Sequence, residues 1–234
     1  MTAVPDYPDW SAADPSGRFT DWLRERSDTS WAGATSHRFV DELAHGTLSE
    51  DHFRRYLVQD YGFIETLVTL VGYAVAYAPD MAAKKTWAEF LAVLMSDEND
   101  YFQRSFDALG VGVALQSHPP LSETTVALRA AMLDAAKSGQ YADVLAVIVP
   151  AEWIYLTWAS ERREARPRQA YYAEWIDLHA IPEFEAFVDW LRGQLDGIGP
   201  RLGPSERQRI ERRFAAVVDL EVEFFDQAYD SAQG

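Results

Sequence analysis

"VIVPAEWIYLTWASE", residues 147–161, has the apolar spacing of a core helix, yet it sets Glu152 on the face that ought to be buried. Val144, Leu145, Ile148, Tyr155, Leu156 and Ala159 recur at three- and four-residue steps, and Glu152 lies on the same stripe. A carboxylate taken out of water is costly unless it is paired or hydrogen-bonded. The position therefore calls for a counter-charge or for a use.

Outward from this helix the same periodicity governs most of the chain. Ser49 in "GTLSEDHF" reads as the N-cap of a helix through about Tyr77, and Asp80 caps the next, which ends near Gly110. "GVGVALQSHPPLSE" is the longest connection and marks the midpoint. Ser122 opens a helix to about Gly139. The next runs from about Tyr141 to Arg163, kinked or interrupted at Pro150. "ARPRQAYYAEWIDLHA" begins a shorter helix, Pro182 starts one through Leu195, and Ser205 caps the last. Alternating β-branched runs with hairpin turns are absent, so the expected fold is an all-α bundle.

An apolar content of 48% in 234 residues is enough for a large core, and residues 17–234 are read as a single helical domain. Residues 1–16 lack the basic and apolar segments of a signal peptide and are read as an exposed arm. Lys and Arg total 21 against 37 Asp and Glu, a formal charge of -16, which repels phosphate backbones and anionic lipid. Neither nucleic acid nor membrane is expected as a partner. No run of about eighteen apolar residues is present, so no membrane span is expected. The absence of cysteine removes disulfides, thiolate metal sites and a cysteine nucleophile, and it fits a cytoplasmic protein.

The anomaly at Glu152 recurs on other helices. Asp60 lies in line with Phe53, Tyr56, Leu57, Phe63, Ile64 and Leu67, and Glu221 with Phe214, Val217, Val218, Phe224 and Phe225. Tyr172, Trp175 and Ile176 lead to His179, while Leu91, Leu94, Met95, Tyr101 and Phe102 surround Glu98. Taken alone, Glu98 reads as an internal brace and His179 as a satisfied core histidine. Five such groups on different helices point instead to one polar pocket with aromatic walls, because the stripes of a bundle face a shared interior. Carboxyls in low dielectric hydrogen-bond an amidine-like edge, and aromatic rings stack on a flat heterocycle. A small aminopyrimidine matches both. A di-metal centre competes, but its usual Glu-x-x-His pairs are missing: Tyr101, Tyr155 and Phe224 stand three after Glu98, Glu152 and Glu221.

In order along the chain, "SHRFVDELAHGTL", "FRRYLVQDYGF", "PAEWIY", "YYAEWIDLHAIPEFEAFVDWL" and "LEVEFFDQAY" resemble the TenA proteins, also called thiaminase II or aminopyrimidine aminohydrolases. The resemblance runs from about Phe19 to Tyr229. It implies a haem-oxygenase-like helical bundle, no cofactor or metal, and a homo-oligomer, dimer or tetramer. The catalytic cysteine that follows the proline in the better-known branch is Ala151 here, with Glu152 beside it, as in the cysteine-lacking branch. Asp60 matches the aspartate that contacts the aminopyrimidine, Tyr155 the tyrosine after the nucleophile, and Glu221 the acid of the last helix. Phe63 and His179 stand where the cysteine branch has tyrosines. The resemblance thus implies a thiamin salvage hydrolase, with Glu152, Glu221 and Asp60 catalytic and Asp60, Phe63, Tyr155, His179 and Glu98 around the substrate. A non-catalytic aminopyrimidine binder or regulator, and a metal-dependent oxidase on the same bundle, are the rivals. Ala151→Cys is expected to be tolerated in volume and to restore some thiamin cleavage, read as release of the thiazole. No release would separate this pocket from that of the cysteine branch.

Overall fold

The cap signals act as read. Ser49 Oγ accepts the N–H of His52 at 3.1 Å and opens α5 (Glu50–Tyr77), and Asp80 Oδ1 accepts that of Ala83 at 2.8 Å to open α6 (Met81–Val93). Ser122 Oγ does the same for Thr125 at the start of α9 (Glu123–Lys137). The computed structural model describes residues 4–230, among which the regular elements are all helical. Four short helices come before α5: α1 (Tyr7–Ala13), α2 (Phe19–Arg26), α3 (Asp28–Thr35) and α4 (Arg38–His45).

The centre of the bundle is α10 (Tyr141–Glu161). From Ala142 to Pro150 every residue is buried, so this half of the helix, Asp143 apart, is apolar on all sides because other helices surround it. Its neighbours are α3, α5, α9, α12 (Pro182–Ile198) and α13 (Pro204–Asp226). By length and hydropathy α10 passes as a membrane span, which the sequence reading did not anticipate, but 72% of that window is buried inside the bundle. Pro150 does not interrupt it: the helix continues through the proline, which leaves the Ala146 carbonyl without its usual donor.

Several local readings are corrected. Of the expected arm, residues 1–3 lie outside the described residues, and residues 4–16 are not simply exposed. There α1 buries Tyr7, whose ring meets Phe19 and Trp22, and Trp10, which stacks on Tyr7 and donates its Nε1–H to Glu25 at 2.7 Å. The aromatic pair is too apolar to stay in water once a cleft between α2 and the body is available. Ser205 is not the last cap: Gly203 is, with Pro204 in the first turn and the Glu206 carboxylate accepting the Gly203 N–H. The midpoint connection contains a short helix, α8 (Val113–Ser117). The helix from Asp80 runs without a break to Gly110 as read, but its winding changes part-way. A π turn, Leu94–Glu98, joins α6 to α7 (Asn99–Leu109), and its wider pitch leaves Met95 exposed while Leu94 is buried.

Truncating Trp10 tests the corrected arm. Trp10→Ala is expected to lower the unfolding free energy by about 3 kcal/mol, the usual cost for a large buried aromatic. An arm standing in water would give almost no change in a urea titration.

Candidate functional site

Five elements deliver the site residues. Asp60 projects from the middle of α5, Glu98 from the π turn, Glu152 and Tyr155 from α10, and Glu221 from α13. His179 follows the end of α11 (Ala170–Leu178). A cleft of about 670 Å³ opens over Glu98, Glu152 and His179, with Phe90, Phe184, Phe187 and Trp190 on its walls. Asp60, Tyr155 and Glu221 lie deeper and are buried. Phe63 is half-buried, its ring edge-on to Phe224 at 5.5 Å.

The four carboxyl groups have no counter-charge: among the described residues none of them makes an ion pair, and Asp60 Oδ2 is buried without a hydrogen-bond partner. Their proton affinities follow from that. Desolvation pushes Glu221 up to about 8 and Glu98 up to about 7. Asp60 is raised well above the carboxylate range by desolvation, then by Glu98 and Glu221, against some relief from the Tyr56 hydroxyl. Glu152 is raised by desolvation and by Glu98, Glu221 and Asp60 in turn, so the four carboxyls feel one another. Such a cluster resists multiple ionisation, since each new negative charge meets those already present.

His179 is the opposite case. Burial lowers its pKa to about 4, so the ring is neutral near pH 7. Its Nδ1 lies 2.9 Å from the Trp175 carbonyl, which can only accept, so Nδ1 carries the hydrogen and Nε2 presents a lone pair. Among the described residues no group of three His, Asp or Glu side chains gathers with metal-holding geometry.

Two participants were absent from the sequence-level site list. The Tyr56 hydroxyl is 2.7 Å from that of Tyr155, and burial keeps both phenols protonated. Trp175 stacks on Tyr101 at 4.8 Å and meets His179 edge-on at 4.4 Å. Spacing carried a signal for both, because Tyr56 is four before Asp60 and Trp175 four before His179. Of the buried side-chain polar atoms that lack a partner, three lie here: Asp60 Oδ2 and the indole nitrogens of Trp158 and Trp175. Orphaned groups around a carboxyl cluster are what a polar ring would satisfy.

Residues 24–231 match the TENA/THI-4/PQQC family. The chain belongs to that family. It is 28% identical over 211 residues to an aminopyrimidine aminohydrolase of Halalkalibacterium halodurans, covering 89% of this chain and 94% of that one. An aminopyrimidine aminohydrolase of Helicobacter pylori is 24% identical over 212 residues, covering 90% and 98%. The solved TenA homologue of Pyrococcus horikoshii superposes with a TM-score of 0.81 at 22% identity, covering 91% of this chain and 99% of the other. The fold is therefore the all-α, haem-oxygenase-like bundle of the TenA proteins. This member has no cysteine at all, and Ala151 precedes Glu152.

The carboxyl cluster sets a pH dependence of stability. The folded value of Glu221, about 8, lies above the unfolded value of about 4.3, so folding favours the protonated form. That contribution is complete below the unfolded value and is lost as pH rises through about 8. The melting temperature is expected to fall between about pH 5 and about pH 8 and to level off above that, and Glu221→Gln should flatten the fall. A slope unchanged in the variant would remove Glu221 as its source.

Proposed function

We propose that the protein hydrolyses aminopyrimidine breakdown products of thiamin, 4-amino-5-aminomethyl-2-methylpyrimidine or its N-formyl derivative, toward the hydroxymethyl pyrimidine. The observation that carries this reading is the cluster of carboxyls without cations at the inner end of an aromatic cleft. Such groups donate or accept according to their protonation, as an amidine edge requires. The names of the curated relatives support the same class of substrate.

With the free amine, water adds its oxygen to the exocyclic methylene carbon, the C–N bond breaks, and ammonia leaves with a proton; with the formyl amide, water first adds to the formyl carbon, the amide C–N bond breaks, and formate and the free amine result. Asp60 or Glu221 holds or protonates the amidine edge, and Glu152 activates the water or passes the proton to the leaving amine. The elevated proton affinity of Glu152 suits it to both halves of that transfer near neutral pH. Tyr155, braced by Tyr56, and Phe63 with Phe224 form the surroundings of the ring. His179 faces the exocyclic nitrogen with a lone pair.

Incubation of the purified protein with a panel of thiamin breakdown products, followed by mass spectrometry and ammonia or formate assays, tests the reading. Turnover of at least one aminopyrimidine is expected, and binding without release would favour a non-catalytic binder. Glu221→Gln and Glu152→Gln should each cut turnover by roughly a factor of 100, a usual acid-base contribution, while the fold is retained. Wild-type rates in a variant would remove that residue from the chemistry.

A further inference from the structure

The cleft is longer than a lone aminopyrimidine needs. Clefts of several hundred Å³ hold drug-sized ligands, and the 670 Å³ here extends well outward from Glu98 and Glu152. Its outer walls are Phe90, Val93, Ile181, Phe184, Phe187 and Trp190. Phe90 and Phe187 stack at 4.1 Å, which gives this arm a firm floor. At its mouth two large apolar residues stand in water, Val93 at 46% exposure and Ile181 at 40%. They come from different elements, the end of α6 and the N-cap of α12, so the exposure is not the accident of one surface turn.

His179 sits where the two halves of the cleft meet. Its ring lies 5.0 Å from that of Tyr155 on the inner side and 5.3 Å from that of Phe184 on the outer side. Because Nδ1 is committed to the Trp175 carbonyl, the free Nε2 calls for a donor on the ligand. An amide N–H is such a donor, and a neighbouring carboxylic acid donates in turn to the amide carbonyl. The geometry at the junction is thus suited to a secondary amide that joins a ring within to an apolar group without.

We propose that the outer arm is an acyl subsite, and that the protein cleaves aminomethylpyrimidines carrying an apolar N-acyl group larger than formyl. The proposal rests on the hydrolytic reading of the inner carboxyls. In the step, water oxygen bonds to the acyl carbon, the amide C–N bond breaks, and a water proton goes to the leaving amine. The products are a carboxylic acid and the free aminomethylpyrimidine. No oxidant, reductant or further reactant is needed.

A homologous series of N-acyl aminomethylpyrimidines, from formyl to hexanoyl, supplies the test, with kcat/KM and, for ketone analogues in which CH2 replaces the amide NH and no exocyclic C–N bond is left to cleave, Kd by calorimetry. Both are expected to improve with chain length by up to about fourfold per methylene, the value of a buried CH2. Ile181→Ser places a good cap at an exposed N-cap, so it should fold. It should reduce the gain for hexanoyl severalfold and leave the free amine untouched. Turnover of the free amine or the formyl amide with no gain along the series would overturn the acyl subsite and leave the hydrolytic reading standing. Tightening Kd along the series without turnover of any member would keep the apolar subsite and overturn the cleavage. A flat Kd with no turnover overturns both, and an equal loss for every ligand in Ile181→Ser overturns the assignment of the lip.

Discussion

Desolvated carboxyl groups without cations are the constraint around which this molecule is arranged. Asp60 and Glu221 are buried, Glu98 and Glu152 face the same region from the cleft, and each is displaced toward its neutral form. A single arginine among them would restore ordinary ionisation and bind the cluster as a structural ion pair. The arginines that do pair with buried acid lie elsewhere: Asp143 on α10, in the otherwise apolar half of that helix, is held by Arg209 and Arg213 of α13. The same two helices thus carry a neutralised acid at one end and unneutralised acids at the other. Packing requires the first, and the second is what the proposed hydrolysis would use.

The bundle supplies rigidity to that second end through aromatic contact. Tyr56, Tyr101, Phe102, Tyr155 and His179 all meet Trp175, which is itself 1% exposed. Rings have few rotatable bonds, so a wall built from them holds its shape without a ligand. The π turn contributes in another way. It widens the helix between Leu94 and Glu98 just where a carboxyl is needed in the cleft, and it keeps Phe102 and Phe106 in the core beyond. The residue beside Glu152 on this wall is Ala151, so no thiolate is available there for addition to a ring, and the acid-base chemistry proposed above does not call for one.

Much of the architecture was legible because its causes are local. Helix starts at Ser49, Asp80 and Ser122 follow from a side-chain oxygen two or three residues before a free backbone N–H, and Gly110 ends α7 with φ 65°. The failures were local in origin but tertiary in outcome. Gly203 and Ser205 are both acceptable caps, and Pro204 between them fits the first turn of a helix only if Gly203 is chosen. Tyr7 and Trp10 sit in a stretch rich in Pro and Asp, which resembles an arm until α2 offers the rings a place to pack.

Of the site, the sequence by itself determined which residues are out of place: acids at Asp60, Glu98, Glu152 and Glu221 and a histidine at 179, each on an apolar stripe, in a chain with no cysteine. Helical periodicity suffices for that, since a face is defined by residues three and four apart. Tertiary structure decided what surrounds them. That Tyr56 braces Tyr155, that Nδ1 of His179 is committed to the Trp175 carbonyl, and that Phe184 and Phe187 extend the cleft outward all depend on how helices distant in sequence cross. The same holds for the absence of a cation beside the acids. Periodicity fixes the direction of a side chain from its own axis, while the identity of its neighbours is fixed by the angle and depth at which helices pack, and those are properties of the whole core.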